Sequence, residues 1–138
     1  MSTPVSQIID QMFDQDYFSQ WLGIERLDEA AGYCVLRMTI RREMLNGFGI
    51  VHGGIAYSLA DSALAFASNT HGRQAVSIET SISHLESLRE GDTLIARAEE
   101  EHLGHKIAVY RVVLTNQNDR MVALFKGVVY RSSRVWEV

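Results

Sequence analysis

One carboxylate, Asp61, interrupts an otherwise uncharged run from Gly54 to Thr70, GIAYSLADSALAFASNT. The alanines and the large apolar residues Ile55, Leu59, Leu64 and Phe66 are spread round the helical wheel instead of forming one stripe. A helix apolar on most sides is buried on most sides. A carboxylate there is costly unless it is paired, hydrogen-bonded or neutral. Burial also raises its pKa, which suits a base or a nucleophile. The alternative is a structural Asp, satisfied locally or set on a solvated edge through Tyr57, Ser58 and Ser68.

Just upstream, Gly53 and Gly54 fall in the expected first turn of this helix. Free N–H groups there point outward with the positive end of the helix dipole. Glycine lets a substrate carbonyl approach the backbone, so the pair could form an oxyanion hole for acyl transfer. A tight turn that needs glycine is the plainer reading. The loop from Met44 to Val51 carries Asn46, Gly47 and Gly49. If it folds back onto the helix start, the Asn46 amide could orient a thioester, and His52 could donate a hydrogen bond or fix the loop.

Gly53 and Asp61 are eight positions apart, roughly 12 Å of rise at about 1.5 Å per residue. One chain's oxyanion donor and the same chain's carboxylate cannot easily meet at one carbonyl. Two such helices lying antiparallel across a two-fold axis would bring Asp61 of one subunit to Gly53 of the other. A catalytic pair therefore implies a shared site and an obligatory dimer.

The elements that position these groups follow from periodicity. A helix is predicted over Ser6 to Phe18, with Tyr17, Phe18, Trp21 and Leu22 continuing as a second short turn. Strands are predicted over Ile24 to Glu29 and Tyr33 to Arg41. After the exit at His71-Gly72-Arg73, four more follow: Ala75 to Leu85, Thr93 to Leu103, Lys106 to Asn116 and Arg120 to Ser132. Short connections suggest an antiparallel meander after one central helix, an α+β layer in which a curved sheet wraps that helix. Ser77 could position a water or support Asp61. His84, without a visible partner, reads as structural. Arg89, Lys106 and His105 could meet phosphates at the sheet edge. Cys34 falls on the apolar face of its strand and reads as core.

The 138 residues suit one domain, residues 1–138. A net charge of −4 argues against a general nucleic-acid binder. The single cysteine excludes an internal disulfide and a cysteine metal cluster, and it fits a reducing cytoplasm. There is no fully apolar run long enough to span a membrane, and no secretory leader pattern.

The set Asn46-Gly47, His52-Gly53-Gly54 and Leu59-Ala60-Asp61 strongly resembles the hotdog-fold acyl-CoA thioesterases of the phenylacetate-degradation (PaaI) type. Gly91-Asp92 before a strand, the Gly104-x-Lys106 turn and the closing VALFKGVVYR strand extend the resemblance over nearly the whole chain. It implies a long helix wrapped by an antiparallel sheet, paired into a dimer and commonly a tetramer. It implies hydrolysis of an acyl-CoA thioester with no cofactor and no metal. By motif position, Asp61 resembles the nucleophile or general base and Gly53 the oxyanion donor, with Asn46 and His52 as positioning residues. Ser77 resembles a serine that holds water in some members. The acyl group is expected beside Gly54, Tyr57, Leu59 and Leu64, which favours an aryl or medium-sized chain. Two departures stand out. Glu86-Ser87 occupies the place of a common Arg-Pro pair that could hold CoA phosphates, and His84 replaces a commoner aromatic. Rival expectations are a non-catalytic acyl-CoA binder and an enoyl-CoA hydratase of the same fold, in which His52 and Asp61 would act as the proton-transfer pair.

Overall fold

The computed structural model describes residues 3–138. Helix α1 (Pro4–Asp14) starts where Thr3 Oγ1 accepts the Ser6 N–H at 3.1 Å, with proline in the first turn, where its missing N–H costs nothing. The predicted helix over 6–18 is not continuous. It stops at Gln15 because Asp16 caps a second helix, α2 (Tyr17–Leu22), its carboxylate accepting the Ser19 N–H at 3.0 Å. Gly23 ends α2 at φ +77°, a left-handed position that glycine adopts freely.

Six strands form one antiparallel sheet: β1 (Glu25–Ala30), β2 (Tyr33–Thr39), β3 (Arg73–His84), β4 (Thr93–Leu103), β5 (Ile107–Thr115) and β6 (Met121–Val135). The order across the sheet is β1-β2-β4-β5-β6-β3. The expected meander holds for β4, β5 and β6, but β3 does not join β4. It lies at the far edge, paired only with β6, for instance Ile82 opposite Phe125. The reason is the helix α3 (Gly53–Asn69), which separates β2 from β3 in the chain. The chain crosses the sheet face along α3, so β3 lands on the opposite edge from β2. One side of β3 is left without a strand partner.

Helix α3 packs against β2 to β6, and its Leu59, Ala60, Ala63, Leu64, Phe66 and Ala67 are buried. The sheet supplies Leu36, Met38, Ala96, Ala98, Tyr110, Val112 and Phe125 to the same core. This is the α+β hotdog arrangement that the resemblance implied. Contact is closest at Gly127 of β6, where a Cβ would come within 2.4 Å of Leu64 Cδ2. Both residues are buried in a packed interior, so Gly127→Ala is expected to cost about 1–3 kcal/mol by overpacking. Chemical denaturation reads this directly, and an unchanged midpoint would mean that α3 can shift away from the sheet. The tail is ordered over the end of α3, where Trp136 Nε1 donates to Asn69 Oδ1 at 2.9 Å.

Candidate active site

The start of α3 is built by the loop before it. Asn46 N–H donates to Ile50 O at 2.8 Å, and Asn46 Oδ1 accepts the Phe48 N–H at 2.9 Å. The Asn46 side-chain oxygen is thus used to shape the loop, and its NH₂ makes no hydrogen bond among the described residues. His52 is extended (ψ 135°) and caps α3, its Nδ1 accepting the Gly54 N–H at 3.5 Å. Gly54 N–H is therefore engaged, while Gly53 N–H makes no hydrogen bond among the described residues. A free N–H at the first position of a 17-residue helix is a ready donor to a developing negative charge.

Gly53 opens into a cleft of about 320 Å³ that Asn46, His84, Glu86 and Ser87 also line. The His84 ring lies against Gly53, its Nε2 3.2 Å from where a Cβ would stand. His84 had read as structural because nothing local marked it. The end of β3 brings it to the helix start, a tertiary contact that no sequence spacing encodes. Glu86, noted as a departure, pairs with Arg120 of the β5–β6 turn at 2.6 Å. A cation therefore reaches this loop from another element.

Asp61 lies in a different cleft, of about 210 Å³, walled by Ala65 and Ser68 of α3 and by Val76 and Ser77 of β3. Its carboxylate is half-buried and accepts no hydrogen bond among the described residues. Burial pushes its pKa above the ordinary aspartate value, and the negative charge of Asp16 adds to the shift. An unpaired, partly dehydrated carboxylate of raised basicity is suited to attack or to proton abstraction.

The structure thus brings Ser77 to Asp61, and Asn46 and His52 to Gly53, but it places the two groups in clefts that share no residue. Tyr57 packs away from both. Its OH meets Thr80 Oγ1 at 2.6 Å and its ring abuts Phe125 edge-on. Arg89 and Lys106 are exposed and flank opposite ends of the 11-residue strand β4, roughly 30 Å apart at about 3.3 Å per residue. One protomer cannot apply both to the same phosphate. Cys34 is core: burial pushes its thiol up to about 12, and its Sγ donates to Ala63 O at 3.2 Å. Among the described residues no group of three or more His, Cys, Asp or Glu is placed to hold a metal ion. No helix among the described residues is long and apolar enough to cross a membrane.

Residues 48–123 match the family described as the thioesterase superfamily. The chain is 38% identical to the acyl-coenzyme A thioesterase PaaI of Escherichia coli over 95% of its own length and 94% of the relative's. The solved structure of that E. coli PaaI protein, from the phenylacetic acid degradation operon, superposes with a TM-score of 0.94, covering 96% of each chain. A mutant of the phenylacetic acid degradation protein PaaI from Thermus thermophilus is 39% identical, covering 85% of this chain and 100% of that one, with a TM-score of 0.82. A hypothetical thioesterase protein from Streptococcus pneumoniae, solved with coenzyme A, is 25% identical, covering 91% of this chain and 98% of that one, with a TM-score of 0.85.

Proposed function

This chain belongs to the thioesterase superfamily and is an acyl-CoA thioesterase of the PaaI type, and from that premise we propose that Asp61 of one protomer works with the Gly53 N–H of a second. The observation that carries this reading is the layout of the two clefts along one edge strand, β3. The Asp61 cleft is walled by Val76 and Ser77 near the start of β3, and the Gly53 cleft by His84 at its end. Antiparallel pairing of β3 with its own copy about a two-fold axis lays the start of one strand beside the end of the other. Each Asp61 cleft then adjoins a partner's Gly53 cleft, and α3 lies antiparallel to its copy. The exposed edge supports such pairing, since Val76 is 64% and Ile78 58% exposed in the single chain. A long apolar edge strand left in water invites aggregation.

In the shared site the thioester carbonyl oxygen rests on the Gly53 N–H, where the helix dipole stabilises the negative charge that develops there. Asp61 attacks the carbonyl carbon and the CoA thiolate departs, leaving a mixed anhydride that water hydrolyses. Equally, Asp61 takes a proton from a water that attacks in its place; both routes use the same two groups. Ser77 stands beside Asp61 to hold that water, and Asn46 and His52 fix the loop that presents Gly53. The nucleotide end of CoA lies against exposed cations, Arg89 and Arg120 at one end of the central strands or Lys106 at the other. The substrate is an aryl or medium-sized acyl-CoA of the phenylacetyl type. The enzyme acts in the cytoplasm, with dimers further paired into tetramers.

A panel of phenylacetyl-, hydroxyphenylacetyl-, benzoyl- and straight-chain acyl-CoA, followed by thiol release, tests this. Turnover of at least one member is expected, with the aryl members preferred. Binding without turnover across the whole panel would overturn the catalytic assignment and favour an acyl-CoA-binding role.

A further inference from the structure

Helix α2 rests on α3 through one buried polar contact. The hydroxyls of Ser19 and Ser62 are 2.8 Å apart, and both residues are buried. Ser19 Oγ donates to Asp16 Oδ2 at 2.6 Å, and Ser19 N–H donates to Asp16 Oδ1 at 3.0 Å. A hydroxyl has one proton to give, so Ser62 donates to Ser19 and Ser19 to Asp16. The chain of bonds ends on a carboxylate that accepts at both oxygens. Ser62 follows Asp61 directly, so this chain fixes Asp16 against the turn of α3 that carries the reacting group. Capping α2 explains the Ser19 N–H bond, but an asparagine caps as well as an aspartate. The charge itself is left over.

We propose that Asp16 is a positioning residue for the Asp61 reaction, held by the Ser19–Ser62 chain so that a second negative charge is fixed at the turn of α3 that carries the reacting carboxylate. The inference rests on the assignment of Asp61 above. A neighbouring negative charge disfavours ionisation and so makes the ionised carboxylate a stronger base. After burial, Asp16 is the second cause of the upward shift at Asp61. Apart from Asp61 the residues lining its cleft are uncharged: Leu64, Ala65 and Ser68 from α3, Ala75, Val76 and Ser77 from β3, and Val129 from β6. Helix α1 and the strands packed on α3 add no other charge that shifts Asp61 among the described residues. In the proposed dimer the partner's His84 and Glu86 come near, and they are unchanged in any comparison of Asp16 variants.

The test compares wild type with Asp16→Asn, and with Asp16→Ser as a second capping variant should the first fold poorly. Two readouts are taken: the pH profile of kcat/KM, and the carbon-13 carboxyl titration of Asp61 in the unliganded protein. Thermal midpoints are expected to stay close to wild type, because both replacements cap helices. The acid limb of the profile is expected to move to lower pH, and the Asp61 titration with it. The limiting kcat is expected to fall roughly 2- to 10-fold, as a weaker base is slower, with KM little changed. Salt near 1 M shortens the Debye length to about 3 Å and should narrow the difference between wild type and variant. Titration curves of Asp61 that coincide in wild type and variant would overturn the proposal, with or without turnover. If the carboxyl titration moves as expected but Asp61→Asn retains full turnover, the role assigned to Asp61 fails, and with it the catalytic part of this inference.

Discussion

Asp61→Asn is expected to lose roughly 10²- to 10⁴-fold in kcat, the range removed with a general base or nucleophile, while gaining thermal stability at neutral pH. The gain follows from the direction of the pKa shift. Folding raises the Asp61 pKa, because burial and Asp16 both disfavour its charged form. The folded state therefore binds this proton more tightly than the unfolded state does. Any stability from the group is fully present below the unfolded pKa and is lost as pH rises through the folded one. At neutral pH wild type carries a charged, partly buried carboxylate without a hydrogen bond; asparagine removes the charge. Melting curves of the two proteins should converge in acid and separate as the pH rises, with the variant the more stable. An inactive variant that is also less stable at pH 7 would show that Asp61 is held by a partner group and serves structure.

Gly53→Pro is expected to lose roughly 10²- to 10³-fold in kcat, the scale for one oxyanion donor, with little change in fold. Proline is chosen because the position accepts it and only the donor goes. Gly53 is the first residue of α3, where proline fits. His52 before it is extended, at φ −66° and ψ 135°, a conformation allowed before proline. Gly53 N–H makes no bond within the described chain, so none is broken. The new ring meets His84, whose exposed side chain has room to yield. Circular dichroism like that of wild type beside a collapse of turnover is the expected pair of results. Turnover near the wild-type level would remove the Gly53 N–H from the mechanism.

The stretch that mattered most was the most legible. An uncharged small-residue run with one carboxylate, opened by His52-Gly53-Gly54, reads as a buried helix with a donor at its start, and α3 begins at Gly53. Alternation was clearest where a strand presents one face to that helix, as with Cys34, Leu36, Met38 and Ile40, all buried. The place of β3 was not legible. Strand pairing depends on where α3 delivers the chain, and the short β3–β4 connection looks the same whether or not those strands are neighbours. The approach of His84 to Gly53 was hidden for the same reason. Asp16 was readable in part: Asp-x-x-Ser is a capping spacing, but the bond from Ser19 on to Ser62 of α3 spans 43 positions. The break in the first helix was missed there too, since apolar periodicity runs on through Tyr17 and Phe18 while the cap at Asp16 restarts the helix.

The shared site is tested most directly by mixing two inactive proteins. Asp61→Asn and Gly53→Pro chains are unfolded together and refolded, so that subunits redistribute at random. A mixed dimer holds one site with both defects and one with neither, because the intact Asp61 comes from one chain and the intact Gly53 from the other. Half of the dimers are mixed and each has one working site of two, so activity should return to about a quarter of wild type. A mixture that stays as inactive as its parents would place Asp61 and Gly53 of the same chain in one site and contradict catalysis across the two-fold axis.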